Sequence, residues 1–237
     1  MNNEISLLVV TAASIGLFHT LFGPDHYIPF IVMSKARNWS IGKTLWITLL
    51  CGIGHVGSSV VLGVIGIAFG LGVNRLENIE SSRGNVAAWI LMSFGILYLL
   101  WGIYRLYKKK PHKHFHFHGN GNAHVHHHNH EDEHNHIHKN EKAVKLTPWI
   151  LFLIFILGPC EPLIPVLMFP AAKLNIHGMI LVTLVFCIIT IVTMLGIVLA
   201  LSYGFNMVSL GKYEKYTHII AGSTIFLSGA AIVFLGL

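Results

Sequence analysis

The chain has 237 residues, 54% hydrophobic and only 11% charged, with a formal net charge of +6 and a mean hydropathy of +0.64. That composition argues against a soluble domain, and the basic excess sits in connections between apolar blocks rather than in one patch, which argues against nucleic acid as a partner. The blocks run about 18 to 28 residues, enough at 1.5 Å per residue to cross a hydrocarbon core of about 30 Å.

The first block, residues 5–22, lacks the basic start and small-residue cleavage site of a secretory signal, so it is expected to be part of the mature structure. It carries His19 and ends at Gly23-Pro24, after which residues 25–33 continue it as a short apolar segment. Further spans are predicted at 44–72, 86–107, 148–171, 178–203 and 218–237. Lys and Arg divide unevenly between the connections. Those after the first, third and fifth spans hold thirteen (Lys35, Arg37, Lys43; Arg105, Lys108, Lys109, Lys110, Lys113, Lys139, Lys142, Lys145; Lys212, Lys215) and the others only Arg75, Arg83 and Lys173. The positive-inside rule then places the odd connections in the cytoplasm and both termini outside a cytoplasmic membrane. The connection between the third and fourth spans is polar and holds twelve of the seventeen histidines, so it is expected to be a disordered cytoplasmic loop. Residues 1–107 and 147–237 are thus two three-helix units flanking a His-rich loop at 108–146.

The two units resemble each other. An offset of 135 residues lays Gly23-Pro24 on Gly158-Pro159, Ile28 on Leu163 and Thr48 on Thr183, and an offset of 134 lays Gly95 and Gly102 on Gly229 and Gly236. Three spans per unit is an odd number, so the second copy enters from the opposite side. The expected fold is an all-α membrane protein of about six transmembrane helices, a 3+3 inverted repeat with broken first and fourth helices, as in many secondary transporters.

The breaks carry the chemistry. Proline removes a backbone donor, so Gly23-Pro24 and Gly158-Pro159 each open a helix at membrane depth, and Pro29, Pro162 and Pro165 are expected to keep both segments irregular. Asp25 and His26 follow the first break; Cys160 and Glu161 follow the second. Ionisable groups there cost at least about 2.5 to 3.5 kcal/mol each on insertion scales, and binding a cation offsets that cost. His19 precedes His26 by seven residues, and His55 lies mid-span in a glycine-rich stretch that permits close helix approach. A set of His19, Asp25, His26, His55, Cys160 and Glu161 is too rich in nitrogen for magnesium or calcium and suits nickel, cobalt, zinc or copper. Plainer readings exist: Asp25 as a helix cap, His19 bonded to a carbonyl, Cys160 and Cys187 as small core fillers, and Glu161 as a proton carrier. Cys51, Cys160 and Cys187 stand singly, without paired spacing. In the loop, His112, His114, His116, His118, His124, His126, His127, His128, His130, His134, His136 and His138, with Glu131, Asp132 and Glu133, form a soft multidentate collector of divalent transition metals or a pH-sensitive tether.

The segment from His19 to Asp25-His26, with Gly54-His55 in the next span, resembles the nickel/cobalt transporter superfamily, which includes urease-accessory and sulfite-exporter-like membrane proteins. The resemblance implies that His19, Asp25, His26 and His55 select and carry the metal. Nickel permeases typically place four residues between the first His and the Asp-His pair; here Thr20 to Pro24 make five. The stretch Gly158-Pro-Cys-Glu-Pro162 is also similar to cytochrome c biogenesis and disulfide-reductant transporters, whose chemistry needs a cysteine in each broken helix. Asp25 stands where the second cysteine would be.

The reading is a secondary transporter that exports a divalent transition metal, nickel or cobalt first and zinc as a further candidate, with protons or another ion coupled. Its partners are the metal, the bilayer and, in an oligomer, further copies of itself; no permanently bound cofactor is expected. Alternatives are an exporter of sulfur oxyanions or organic anions, which no Lys or Arg inside a predicted span favours, and an accessory protein that buffers metal without moving it. An enzyme is not expected, since nothing outside the membrane is large enough to fold and no HExxH spacing is present.

Overall fold

Inside a bilayer the backbone has no water to bond with, so long runs of Leu, Ile, Val and Phe close their own hydrogen bonds as helices. The computed structural model describes residues 3–108, 114–117, 123–126, 141–172, 176–207 and 211–235. Its helices are α1 (Asn3–Phe22), α2 (Ile28–Arg37), α3 (Ile41–Ala68), α4 (Val73–Lys108), α5 (Glu141–Leu157), α6 (Leu163–Ala172), α7 (Ile176–Met207) and α8 (Thr217–Leu235). Among the described residues, five stretches, in α1, α3, α4, α7 and α8, are long and apolar enough to cross a membrane. The chain therefore has the build of a multi-pass membrane protein.

The breaks are sharp. A 3-10 turn, Pro24–His26, separates α1 from α2, and five residues with no helix separate α5 from α6. The expected fourth span is consequently two shorter apolar helices. Pro29 and Pro165 do not keep their segments irregular. Each lies within the first three residues of a ten-residue helix, where its missing N–H has no intrahelical partner to lose. Landmarks in the two halves keep one spacing: α1 and α5 end 135 residues apart, at Phe22 and Leu157; α2 and α6 begin 135 apart, at Ile28 and Leu163; α3 and α7 begin 135 apart, at Ile41 and Ile176.

Two expectations are corrected. The third span does not start at 86: α4 already begins at Val73, because polar residues such as Asn74, Arg75, Glu77 and Glu80 lower hydropathy without opposing helix formation. And the His-rich connection, expected to be disordered throughout, contains β1 (His114–Phe117) and β2 (Ala123–His126), an antiparallel pair that registers His114 with His126 and His116 with His124. His112, His118, His127, His128, His130, His134, His136 and His138 lie outside the described residues.

Helix packing is crossed between the halves. α1 lies on α7 and α5 on α3; α2 touches α8 and α6 touches α4; α4 and α8 form the most extensive pair. Glycine makes that last pair possible, since a Cβ at Gly95 would strike the backbone of Phe226 and one at Gly222 the backbone of Leu99. The inner cluster is built from Phe30, Met33, Leu151, Phe155, Met194 and Ile225, while Trp46, Leu97 and Ile188 point outward.

Candidate metal centre at the helix breaks

The first break delivers His26 into the middle of the helices. With Pro24 unable to donate, the chain turns: the Gly23 carbonyl accepts from the His26 N–H at 3.1 Å, and the Leu21 carbonyl from the Tyr27 hydroxyl at 3.3 Å. The His26 ring packs edge-on against His19 from α1 (centroids 4.7 Å apart) and His55 from α3 (4.9 Å). His19, His26 and His55 each offer a ring nitrogen, all within 4.8 Å of one another, and His26 and His55 are only 3% exposed.

The second layer orients these nitrogens. His26 Nδ1 lies 3.1 Å from the Gly23 carbonyl and 3.2 Å from Asp25 Oδ1. A proton on Nδ1 satisfies both acceptors and leaves the Nε2 lone pair facing His55 Nε2, 3.3 Å away. The His55 ring has the Phe155 carbonyl as its own acceptor; that carbonyl lacks its usual i+4 donor because residue 159 is proline and otherwise accepts only from the Gly158 N–H at 3.2 Å, among the described residues. Two lone pairs facing each other repel unless a cation lies between them. Metal–nitrogen bonds of about 2.0 to 2.1 Å put two tetrahedral ligands about 3.3 Å apart. Asp25 thus stands behind His26 in the orienting position of a carboxylate–histidine–metal arrangement.

The second break supplies the far wall. Cys160 Sγ is 4.0 Å from His19 Nε2 and fully buried. Glu161 is exposed to a cavity of about 850 Å³, which His19, Asp25, His26 and His55 also line, but its carboxylate is not among the converging donors. Cys187 packs in the apolar cluster around Cys160, and Cys51 is buried in the larger core.

An ion pair that sequence reasoning left outside the membrane holds this break. Glu80 and Arg83, one turn apart on α4, lie 3.1 Å from each other, with Glu80 wholly buried. Arg83 donates to the Gly158 carbonyl at 3.1 Å and to Ser59 and Ser58 at 2.8 and 3.2 Å; Glu80 accepts from the Cys160 N–H at 3.3 Å. Gly158 O would ordinarily bond the N–H of residue 162, but that residue is Pro162. The pair therefore replaces one acceptor's and one donor's lost partners at the break. A Glu and an Arg spaced i, i+3, three residues before the apolar run at 86 begins, were the available signal.

No family model, curated protein or solved structure matches this chain. The site therefore rests on its own geometry. What that geometry offers is three imidazole nitrogen donors, a thiol at one edge, two carboxylates nearby and a cavity that reaches them, a set suited to a borderline or soft divalent ion.

Proposed function

We propose that the protein is a secondary transporter for a divalent transition-metal cation, nickel or cobalt first, working as an exporter. The observation that carries this reading is the convergence of His19, His26 and His55 donor atoms within 4.8 Å, buried at a helix break and open to a cavity. Metal would be bound by these imidazoles, with Cys160 or water completing the set, while Asp25 holds His26 and Glu161 carries compensating charge or a proton along the cavity. Histidines of the connecting loop would gather metal on the cytoplasmic side. The resemblance of the first break to the nickel/cobalt transporters points the same way.

Alternating access requires two related units that rock about a shared site. The common 135-residue spacing and the crossed packing, in which α1 on α7 answers α5 on α3, support an inverted 3+3 repeat. The anion-exporter reading is weakened even though Arg83 is helical, because that guanidinium is already engaged by Glu80, both serines and Gly158. Flux of nickel, cobalt, zinc and manganese into proteoliposomes at a fixed pH gradient tests the proposal. Flux lost in His26→Ala but only less efficient without residues 112–138 is expected; no flux of any of the four in the unaltered protein would end it.

A further inference from the structure

A second polar cluster lies far along α4 from the Glu80–Arg83 pair, where the ends of α2 and α4 meet the start of α8. Arg37, the last residue of α2, places its guanidinium 5.4 Å from the Tyr98 ring centre and 5.3 Å from that of Trp101. Arg105, one turn beyond Trp101, lies over the same indole at 5.5 Å. The His218 ring fills the remaining side: it contacts Trp101 edge-on at 5.0 Å, its Nδ1 is 2.9 Å from the Tyr98 hydroxyl, and its Nε2 meets Arg105. Arginine only donates, so His218 Nε2 accepts and its proton is on Nδ1. The histidine therefore spreads the positive charge rather than cancelling it.

Two full positive charges thus share one aromatic bed, and among the described residues no carboxylate lies within 4 Å of either. Ring faces soften such a charge but do not neutralise it. Arg37 Nε is buried and has no hydrogen-bond partner among the described residues, an unused donor in the middle of the cluster. Arg83, the largely buried guanidinium at the other end of α4, is by contrast matched by Glu80. The surroundings place the cluster at headgroup depth: Trp101, Tyr104 and Tyr107 are 40%, 62% and 63% exposed on the last turns of α4, the pattern of an interfacial aromatic belt, and Lys108 follows.

We infer that Arg37 and Arg105, arranged around Trp101 and His218, form a binding site for a phosphate group, and that its source is the headgroup of an anionic phospholipid. A phosphodiester offers acceptor oxygens to two guanidinium groups at once, and its acyl chains would run down the exposed apolar side of α4. Bound lipid would tie α2 to the α4–α8 pair, the joint between the short helix after the first break and the most extensive helix contact.

Native mass spectrometry of the full chain in neutral detergent, with equal amounts of phosphatidylglycerol and phosphatidylcholine, tests this. Retention of phosphatidylglycerol is expected to fall roughly fivefold in Arg37→Gln or Arg105→Gln and roughly 30-fold in the double variant. Arg105→Lys should keep most of it. Lys43→Gln, whose ammonium lies over Trp39, should keep all of it. Variants count only if they elute monodisperse and melt as the unaltered protein does in lipid-free detergent; Arg105→Gln, on the exposed surface, provides the safeguard. Unchanged lipid preference in Arg105→Gln, an equal loss in Lys43→Gln, or equal protection by inorganic phosphate with no preference for the lipid would each overturn the inference.

Discussion

The two helix breaks start from the same Gly-Pro pair and are stabilised in opposite ways. At Gly23-Pro24 the chain repairs itself, since Gly23, His26, Leu21 and Tyr27 supply each other's hydrogen bonds within seven residues. At Gly158-Pro159 the repair comes from another helix, through Arg83 on the Gly158 carbonyl and Glu80 on the Cys160 amide. A self-contained turn can present a ligand, His26, in a set orientation. A break held from outside can let go when its holder moves. The first break is therefore the one that faces the proposed metal site, and the second is the one whose hydrogen bonds depend on α4.

The largest expected effect strikes the second break. Arg83→Ala leaves a buried carboxylate and a bare carbonyl, and a broken buried pair costs about 3 to 5 kcal/mol. Denaturant unfolding in detergent should show that loss, with part of it recovered when Glu80→Gln is added. A change below 1 kcal/mol would mean the break does not depend on α4. Next comes His26→Ala, which removes one of three converging donors and should weaken nickel or cobalt binding, read by calorimetry, by more than about 100-fold, beyond what loss of an orienting partner causes. Asp25→Asn should weaken the same binding by about 10- to 100-fold, as expected of a residue that orients His26 rather than touching the metal. If Asp25→Asn proved as damaging as His26→Ala, Asp25 would have to be counted as a ligand.

The smallest effect separates the breaks by space alone. A Cβ at Gly23 would collide with the His26 ring, whereas one at Gly158 would sit 3.3 Å from His55 Nδ1 and the Phe155 carbonyl. Gly23→Ala should cost about 1 to 3 kcal/mol and distort metal binding, and Gly158→Ala should cost less. Melting curves with and without cobalt would show the order, and a reversed order would contradict the crowding at His26.

Much of this was legible from residues alone. Blocks of apolar sequence demand helices because a bilayer offers the backbone no other partner, and Gly-Pro marks the breaks because proline has no N–H to give. His19, Asp25, His26, His55 and Cys160 were all identifiable as polar groups in apolar surroundings, and the 135-residue spacing could be read from Gly23-Pro24 and Gly158-Pro159. Contacts across hundreds of ångströms of chain contour were not legible. Nothing in a linear pattern brings residue 83 to residue 158, or residue 105 to residue 218, because those meetings depend on which helix faces pack.

For the same reason Glu80 and Arg83 read as polar connection residues. A hydropathy pattern weighs each side chain by its own cost of leaving water, whereas a buried pair shares that cost with a partner that only the fold supplies. The sequence by itself determined that the chain is helical and apolar enough for a membrane, where its helices break, and which metal-competent side chains stand beside the breaks. Tertiary packing alone decided that three of those side chains, from α1, the first break and α3, meet within 4.8 Å, that Asp25 backs His26, and that α4 supplies hydrogen-bond partners to the second break. Local chemistry follows from neighbours in sequence; convergence of donors follows from the crossing of helices.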